Sequence, residues 1–368
     1  MRIGVVMAGG SGERFWPLSR LKRPKQLLRL ASDRRNLLEE ALDRLLPLIP
    51  PDRLFLATNK VLHNAVMEYR LSIPSENVLT EPFKRNTAGC LAYVSACCLH
   101  RFGDSAPDIT LAITTADHRI GDDDEFRRTI LTALEAVERE DCLGIVGIKP
   151  TRPETGFGYI EIPRGAIPNH GASGAPQVYR VERFREKPNR ETAEDFIATG
   201  RFYWNSGMFF WKLGTFLFEL GRVNPEIVRS IHEMAAALSR GDDQALQNAF
   251  EQMDDISIDF ALMEHTRNVV MVEGDFPWDD LGSWDSLDRS RPHDDKGNVV
   301  FGDPVLIDAE GCIVYNEAGA EKMAVAAIGV EELVIVVAED AVLVAPKGRV
   351  QDVRQAVSEL RKRAAKQI

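Results

Sequence analysis

The sequence predicts an α/β protein in which a doubly wound sheet is followed by a smaller strand-rich region and a terminal helix. Three observations carry this. Ile3 to Ala8 is a continuous apolar run closed by Gly9 and Gly10, the pattern of a strand covered on both faces. Strand-like and helix-like patterns then alternate as far as Ile148. After Trp284 the chain turns to short β-branched runs separated by glycine and aspartate.

Each element has its own signal. Leu37, Leu38, Ala41, Leu42, Leu45 and Leu46 recur at helical spacing until Pro47 and Pro50-Pro51 stop them, and Arg53 to Ala57 resumes as a strand. A small-residue helix runs from Thr87 to about His100, and a strand follows from Ile109 to Thr114. A helix from about Asp124 to Arg139 and a strand from Leu143 to Ile148 complete the alternation. Gly158 to Ile162 and Val178 to Phe184 read as strands, and helices fill the region between Arg190 and His265, broken at Gly and Asn-Pro. The strand-rich region has runs at Val299-Val300, Val305 to Ile307, Cys312 to Val314, Leu333 to Val337 and Val342 to Val344. From Arg349 to Arg363, Val350, Val353, Val357 and Leu360 share one face of an amphipathic helix that packs on the sheet or on a second subunit, so a homodimer is one of two expectations. A boundary near Pro292 divides the chain into domains 1–292 and 293–368.

At 368 residues with 44% apolar composition, two packed domains are expected. A net charge of -11 argues against a general nucleic-acid or anionic-membrane binder, whose surface needs a basic excess. Cys90, Cys97, Cys98, Cys142 and Cys312 are odd in number and lack C-x-x-C pairing, which fits reduced thiols. With neither a signal-peptide core nor a run of membrane-spanning length, a cytoplasmic protein is expected.

The chemistry concentrates at the N-terminus. A strand ending in Ala8-Gly9-Gly10-Ser11-Gly12 lets successive backbone N–H groups approach phosphate oxygens. The dinucleotide fingerprint would need Phe15 to stand for its third glycine, and the P-loop lysine is missing after Gly9. The next stretch of chain is basic instead: Arg14, Arg20, Lys22, Arg23 and Lys25 gather around Pro17 and Pro24 with no acid between Glu13 and Asp33. A solvated basic loop is the plain explanation, and a polyphosphate site is the better one in a chain otherwise rich in acid.

The segment from Gly9 to Arg20 with Pro24-Lys25-Gln26 resembles the nucleotide-binding loop of bacterial mannose-1-phosphate guanylyltransferases, members of the sugar-1-phosphate nucleotidylyltransferase family. The resemblance continues through Glu81-Pro82-Phe83-Lys84-Arg85-Asn86-Thr87-Ala88, Ala116-Asp117-His118, Glu154 to Ile160, Phe184 to Pro188, Trp204 to Phe209 and Trp278 to Trp284. One departure is Thr115, where that family usually has proline. The resemblance implies a Rossmann-like transferase domain, a small β-helix-like C-terminal domain, and a reaction of GTP with mannose 1-phosphate giving GDP-mannose and pyrophosphate.

It also implies roles. Arg14 and Lys25 contact the triphosphate, and Asp117 and Asp280 hold Mg2+ and complete the catalytic set. Ala8, Gly9, Gly10, Ser11, Gly12, Glu81, Arg85, Asn86 and Thr87 surround the nucleotide. Gly158, Glu186, Lys187 and Asn205 meet the sugar phosphate, with Gly158 admitting the hexose to the backbone and Asn205 both donating to and accepting from hydroxyls. By residues alone, Asp117 reads as a turn or helix-cap acid and Asp280 as a cap before Ser283-Trp284. The neighbouring Asp279 is the residue most easily confused with Asp280. The same chemistry with glucose 1-phosphate and dTTP or UTP, a non-catalytic regulatory subunit on this fold, and a nicotinamide-dependent dehydrogenase are the competing readings.

Overall fold

The computed structural model describes residues 1–10, 12–168 and 175–368. Its main sheet begins with four parallel strands, β1 (Arg2–Ala8), β2 (Leu54–Asn59), β3 (Val78–Glu81) and β4 (Thr110–Thr115). Across the sheet the order is β3, β2, β1, β4, then Phe202–Lys212, Leu143–Ile148, Val269–Gly274 and Val178–Arg180. Phe202–Lys212 enters antiparallel to both neighbours, so the sheet is mixed. The order reverses between β1 and β4. At such a switch point the connections leave in opposite directions and open a crevice beyond the strand ends, here after Ala8 and Thr115.

Ile3, Val5 and Val6 are fully buried because helices cover both faces of β1. One core joins α1 (Leu37–Leu45) and α4 (Asp123–Glu140) to the sheet, and a second, on the other face, joins α3 (Asn86–Phe102) and the helix Pro225–Arg240. Local chemistry sets the helix starts: Asn36 and Glu39 form a reciprocal capping box at α1, and Asp122 accepts from two amides at α4. An additional helix, α2 (Lys60–Met67), follows β2 directly, where Asn59 accepts from the amides of Val61 and Leu62.

The expected strand from Val178 to Phe184 is instead two. The Val181 amide donates to Val269 and the next amide, of Glu182, donates to Glu161, so the chain changes partner strand within one residue. Val178–Arg180 pairs with Val269–Gly274, and Arg183–Arg185 with Tyr159–Glu161.

In the C-terminal region Val299–Phe301, Ile313–Asn316 and Leu333–Val337 stack in parallel, and Val342–Pro346 closes them antiparallel. A second parallel pair, Val305–Glu310 with Ala326–Glu331, gives the region its β-helix-like coils. Ala326–Glu331 escaped the sequence pattern because most of its side chains are exposed. The terminal helix runs Val353–Lys362, after a separate short helical turn at Lys347–Asp352. The apolar side of this turn and helix lies on the N-terminal signature segment: Val350 of the turn and Val353 and Val357 of the helix share one core with Phe15, Trp16, Leu18, Trp284 and the stacked strands. All five cysteines are buried free thiols. Among the described residues no helix is long and apolar enough to cross a membrane.

Candidate active site

The glycine loop leaves β1 at the crevice with its carbonyls turned toward the protein. The oxygens of Ala8, Gly9 and Gly10 accept from Thr58 Oγ1 (3.0 Å), Asn59 Nδ2 (3.4 Å) and Gln26 Nε2 (2.9 Å). Because C=O and N–H of a trans peptide point in opposite directions, the amides of Gly9 and Gly10 point away from the Thr58 and Asn59 side chains. Backbone amides of a glycine-rich loop suit phosphate oxygens. Ser11 lies outside the described residues. Gly12 is left-handed, with φ +64°, and its carbonyl accepts from Ser19 Oγ at 2.7 Å.

This folding back brings Lys25 into the crevice. Lys25 is 6% exposed, and its Nζ donates to Asp117 Oδ2 at 2.9 Å and to the backbone carbonyl of Asp280 at 2.6 Å. One ammonium thereby joins the end of β4 to the segment after Val269–Gly274. Burial alone would push the Asp117 carboxyl up, but the charge of Lys25, with His118 and the Lys25 hydrogen bond, outweighs it and holds that carboxyl below its usual range. Burial dominates at Asp280, where Asp279 and Asp117 add to it against the opposing charges of Lys25 and Arg14, and its pKa is raised to about 6.

The structure separates Asp280 from Asp279. Asp279 is 5% exposed, accepts the Leu281 amide at 2.8 Å and binds Arg289 Nε at 3.1 Å. Its oxygens are occupied in holding the turn. The Asp280 carboxylate accepts no hydrogen bond among the described residues and faces Asp117 and Arg14. His118 is a structural neighbour: its Nδ1 accepts from Trp278 Nε1 at 3.3 Å, and burial drives its pKa down to about 4, which keeps the ring neutral.

Among the described residues no group of three or more His, Cys, Asp or Glu side chains is placed to hold a metal. Two carboxylates converging on one crevice, one of them without a hydrogen-bond donor, fit a hard cation that takes its other ligands from phosphate and water.

On the sugar side, Glu186 Oε2 is buried without a partner, and Lys187, with φ +45°, is 60% exposed and bonded to the other Glu186 oxygen. A Cβ on Gly158 would stand 2.5 Å from Glu186 Oε2, so that glycine makes room for the carboxylate rather than only for a ligand. Asn205 is more committed than its chemistry suggested. Its Nδ2 donates to Asp259 Oδ1 at 2.9 Å, and its Oδ1 accepts from the Gly207 amide at 2.8 Å. Asp259 was missed by sequence reading. Burial first, then the charge of Glu186, lifts its pKa to about 6.

The residues expected around the base divide. Glu81 is 5% exposed, and burial raises its pKa to about 7 against a hydrogen bond with Cys90. Arg85 spends its Nη2 on the Glu251 carbonyl at 2.9 Å, Asn86 Oδ1 accepts the Thr87 amide, and Thr87 Oγ1 accepts the Ile258 amide at 2.8 Å. Arg85 and Thr87 tie the start of α3 to the segment preceding Asp259, Asn86 bonds only within α3, and none of the three lines the cleft beside the glycine loop. That cleft, of about 370 Å³, runs from Gly9 past Asn59, Lys60 and Phe83 to the terminal helix. Gly9, Arg20 and Phe83 of this lining belong to the motifs read in the sequence, whereas Asn59 and Lys60, after β2, were missed.

A nucleotidyl transferase family model matches residues 3–296, and a mannose-phosphate isomerase/GMP-like beta-helix domain model matches residues 302–360. The chain is 39% identical over 364 residues to the mannose-1-phosphate guanylyltransferase of Klebsiella pneumoniae, covering 98% of this chain and 74% of that one. It is 38% identical to an enzyme of the same name from Escherichia coli, with the same coverage. It also resembles a solved structure described as mannose-1-phosphate geranyltransferase from Thermus thermophilus, with TM-score 0.83, 36% identity, and coverage of 98% of this chain and 99% of that one.

Proposed function

This chain belongs to the nucleotidyl transferase family, and from that membership we propose that it is a mannose-1-phosphate guanylyltransferase, joining GTP and mannose 1-phosphate into GDP-mannose with release of pyrophosphate. The observation that carries the reading is the convergence of Lys25, Asp117 and Asp280 beside the glycine loop at the sheet's switch point. The names of the relatives support the substrate pair.

The reaction needs no protein nucleophile. An oxygen of the sugar phosphate attacks the α-phosphorus of the nucleotide, the α–β phosphoanhydride breaks, and its electron pair leaves with pyrophosphate. The attacker is already an anion, so the residues must orient two highly charged substrates and stabilise the charge that moves to the leaving group. The amides of Gly9 and Gly10 and the guanidinium of Arg14 suit the triphosphate. Lys25 supplies a buried point charge between the phosphates and both acids. Divalent cations are common partners of this family's chemistry, and Asp117 with Asp280 would hold Mg2+. When bound, it would neutralise phosphate charge and orient the transferred group. Glu186 and Asp259 offer acceptors for sugar hydroxyls, Lys187 a cation for the sugar's phosphate, and the cleft lined by Asn59 and Phe83 a place for the base and ribose.

A matrix of nucleoside triphosphates against hexose 1-phosphates, read as pyrophosphate release, tests this. Efficient turnover is expected with GTP and mannose 1-phosphate. Preference for glucose 1-phosphate with dTTP or UTP would replace the substrate assignment, and no nucleotide sugar from any pair would remove the catalytic one.

A further inference from the structure

Arg14 belongs to the glycine loop, yet its side-chain hydrogen bond among the described residues goes to the C-terminal region. Its Nη1 donates to Gln351 Oε1 at 3.2 Å. Gln351 Nε2 in turn donates to Ser283 Oγ at 2.8 Å, three residues beyond Asp280. A single amide therefore ties the loop arginine to the segment that carries an acid of the site. Among the described residues no carboxylate forms an ion pair with Arg14. After burial, the strongest influence on it is another cation, Arg354, one helical turn beyond Gln351. A half-buried guanidinium held by a neutral amide has its direction set while its charge stays available to an anion.

We propose that Gln351 is a positioning residue for the nucleotide, aiming Arg14 at the triphosphate, so that the C-terminal region forms part of the transferase site. This rests on the reading that the glycine loop holds a nucleoside triphosphate. Docking of the region does not depend on Gln351. Arg361 pairs with Glu13 at 2.8 Å, Trp16 Nε1 donates to the Gln367 carbonyl at 2.7 Å, and Val350, Val353 and Val357 are buried against the loop. An amide is also the fitting group here, since a carboxylate at this place would pair with Arg14 and compete with phosphate.

Calorimetric titration of the full chain with GTP tests the proposal, using wild type, Gln351→Ala, Gln351→Glu, Arg14→Ala and the Arg14→Ala/Gln351→Ala double variant. Gln351→Ala should weaken GTP binding about fivefold, the loss of one ordinary hydrogen bond. In the Arg14→Ala background the same change should cost less than about twofold, because the interaction runs through Arg14. Gln351→Glu keeps the side chain's length and its bond to Arg14, yet should weaken GTP by about tenfold or more through charge pairing. Thermal midpoints close to wild type and an unchanged KM for mannose 1-phosphate should accompany these losses. Wild-type affinity in Gln351→Glu, or an equal loss from Gln351→Ala with and without Arg14, overturns the inference while leaving the proposed function standing. Failure of the wild type to bind any nucleoside triphosphate overturns both.

Discussion

A Cβ built on Gly12 would lie 2.2 Å from the Cβ of Lys25, so the two ends of the signature segment touch where no other residue fits. Gly12 also holds φ +64°, a conformation that costs other residues about 1–2 kcal/mol before any clash. This contact seats Lys25 between Asp117 and Asp280. Gly12→Ala is therefore expected to lower the thermal midpoint and reduce turnover by about tenfold or more, since the backbone of Lys25 must retreat. Wild-type kinetics in that variant would show that the contact is not needed to place the lysine.

Lys25 itself bonds both the Asp117 carboxylate and the Asp280 backbone carbonyl, from a position 6% exposed. Its replacement by methionine should cost on the order of a hundredfold or more in kcat, the scale of losing one preorganised donor to developing charge. Arginine should not restore the rate, because its planar fork needs more room than an ammonium in the same slot. Steady-state kinetics of both variants decide this, and recovery with arginine would contradict the tight packing.

Adjacent aspartates should respond in opposite ways. Asp280→Asn removes a carboxylate with no hydrogen-bond donor among the described residues and a burial-raised pKa, so divalent-dependent turnover should fall steeply while the midpoint of unfolding does not fall. Asp279→Asn disturbs the bonds to Leu281 and Arg289 and should destabilise the fold by about 1–3 kcal/mol. Paired thermal melts and metal titrations of activity would separate the two, and a reversal of the pattern would move the metal assignment to Asp279.

Glu81 gives a pH signature. Burial raises its pKa to about 7 in the folded chain, above its ordinary value of 4.5. Between those values the folded state keeps a proton that the unfolded state has released, so stability falls as pH rises across that window. The contribution is fully present below 4.5 and lost above about 7. Glu81→Gln should remove this slope, raising stability relative to wild type by about 1–3 kcal/mol as pH goes from 5 to 7.5. Urea unfolding at both values checks it, and parallel pH profiles for the two proteins would count against a buried protonated Glu81.

Much of the candidate site was legible in sequence because its chemistry is local. Gly9 to Lys25 announced itself by composition, and the run into Asp117 by its place at a strand end. Other side chains are committed to partners distant in the chain. Nothing local distinguishes Thr87 reading a base from Thr87 accepting the Ile258 amide, or Asn205 facing a ligand from Asn205 joined to Asp259. Asp259 sits in a short π-helical turn whose apolar neighbours hid it among core residues.

By itself the sequence determined the alternating strands and helices, the basic, glycine-rich character of the first loop and the acids at its rim, since periodicity and residue chemistry act over a few positions. Tertiary structure decided which groups remain available. Asp279 was absorbed by Arg289 and the Asp280 carboxylate left without a hydrogen-bond donor among the described residues, Arg85 was drawn to the Glu251 carbonyl, and Arg14 was given to Gln351 from the far end of the chain. The physical reason is that a polar side chain's role depends on whether its hydrogen bonds are already satisfied, and only the folded chain brings together the groups that satisfy them.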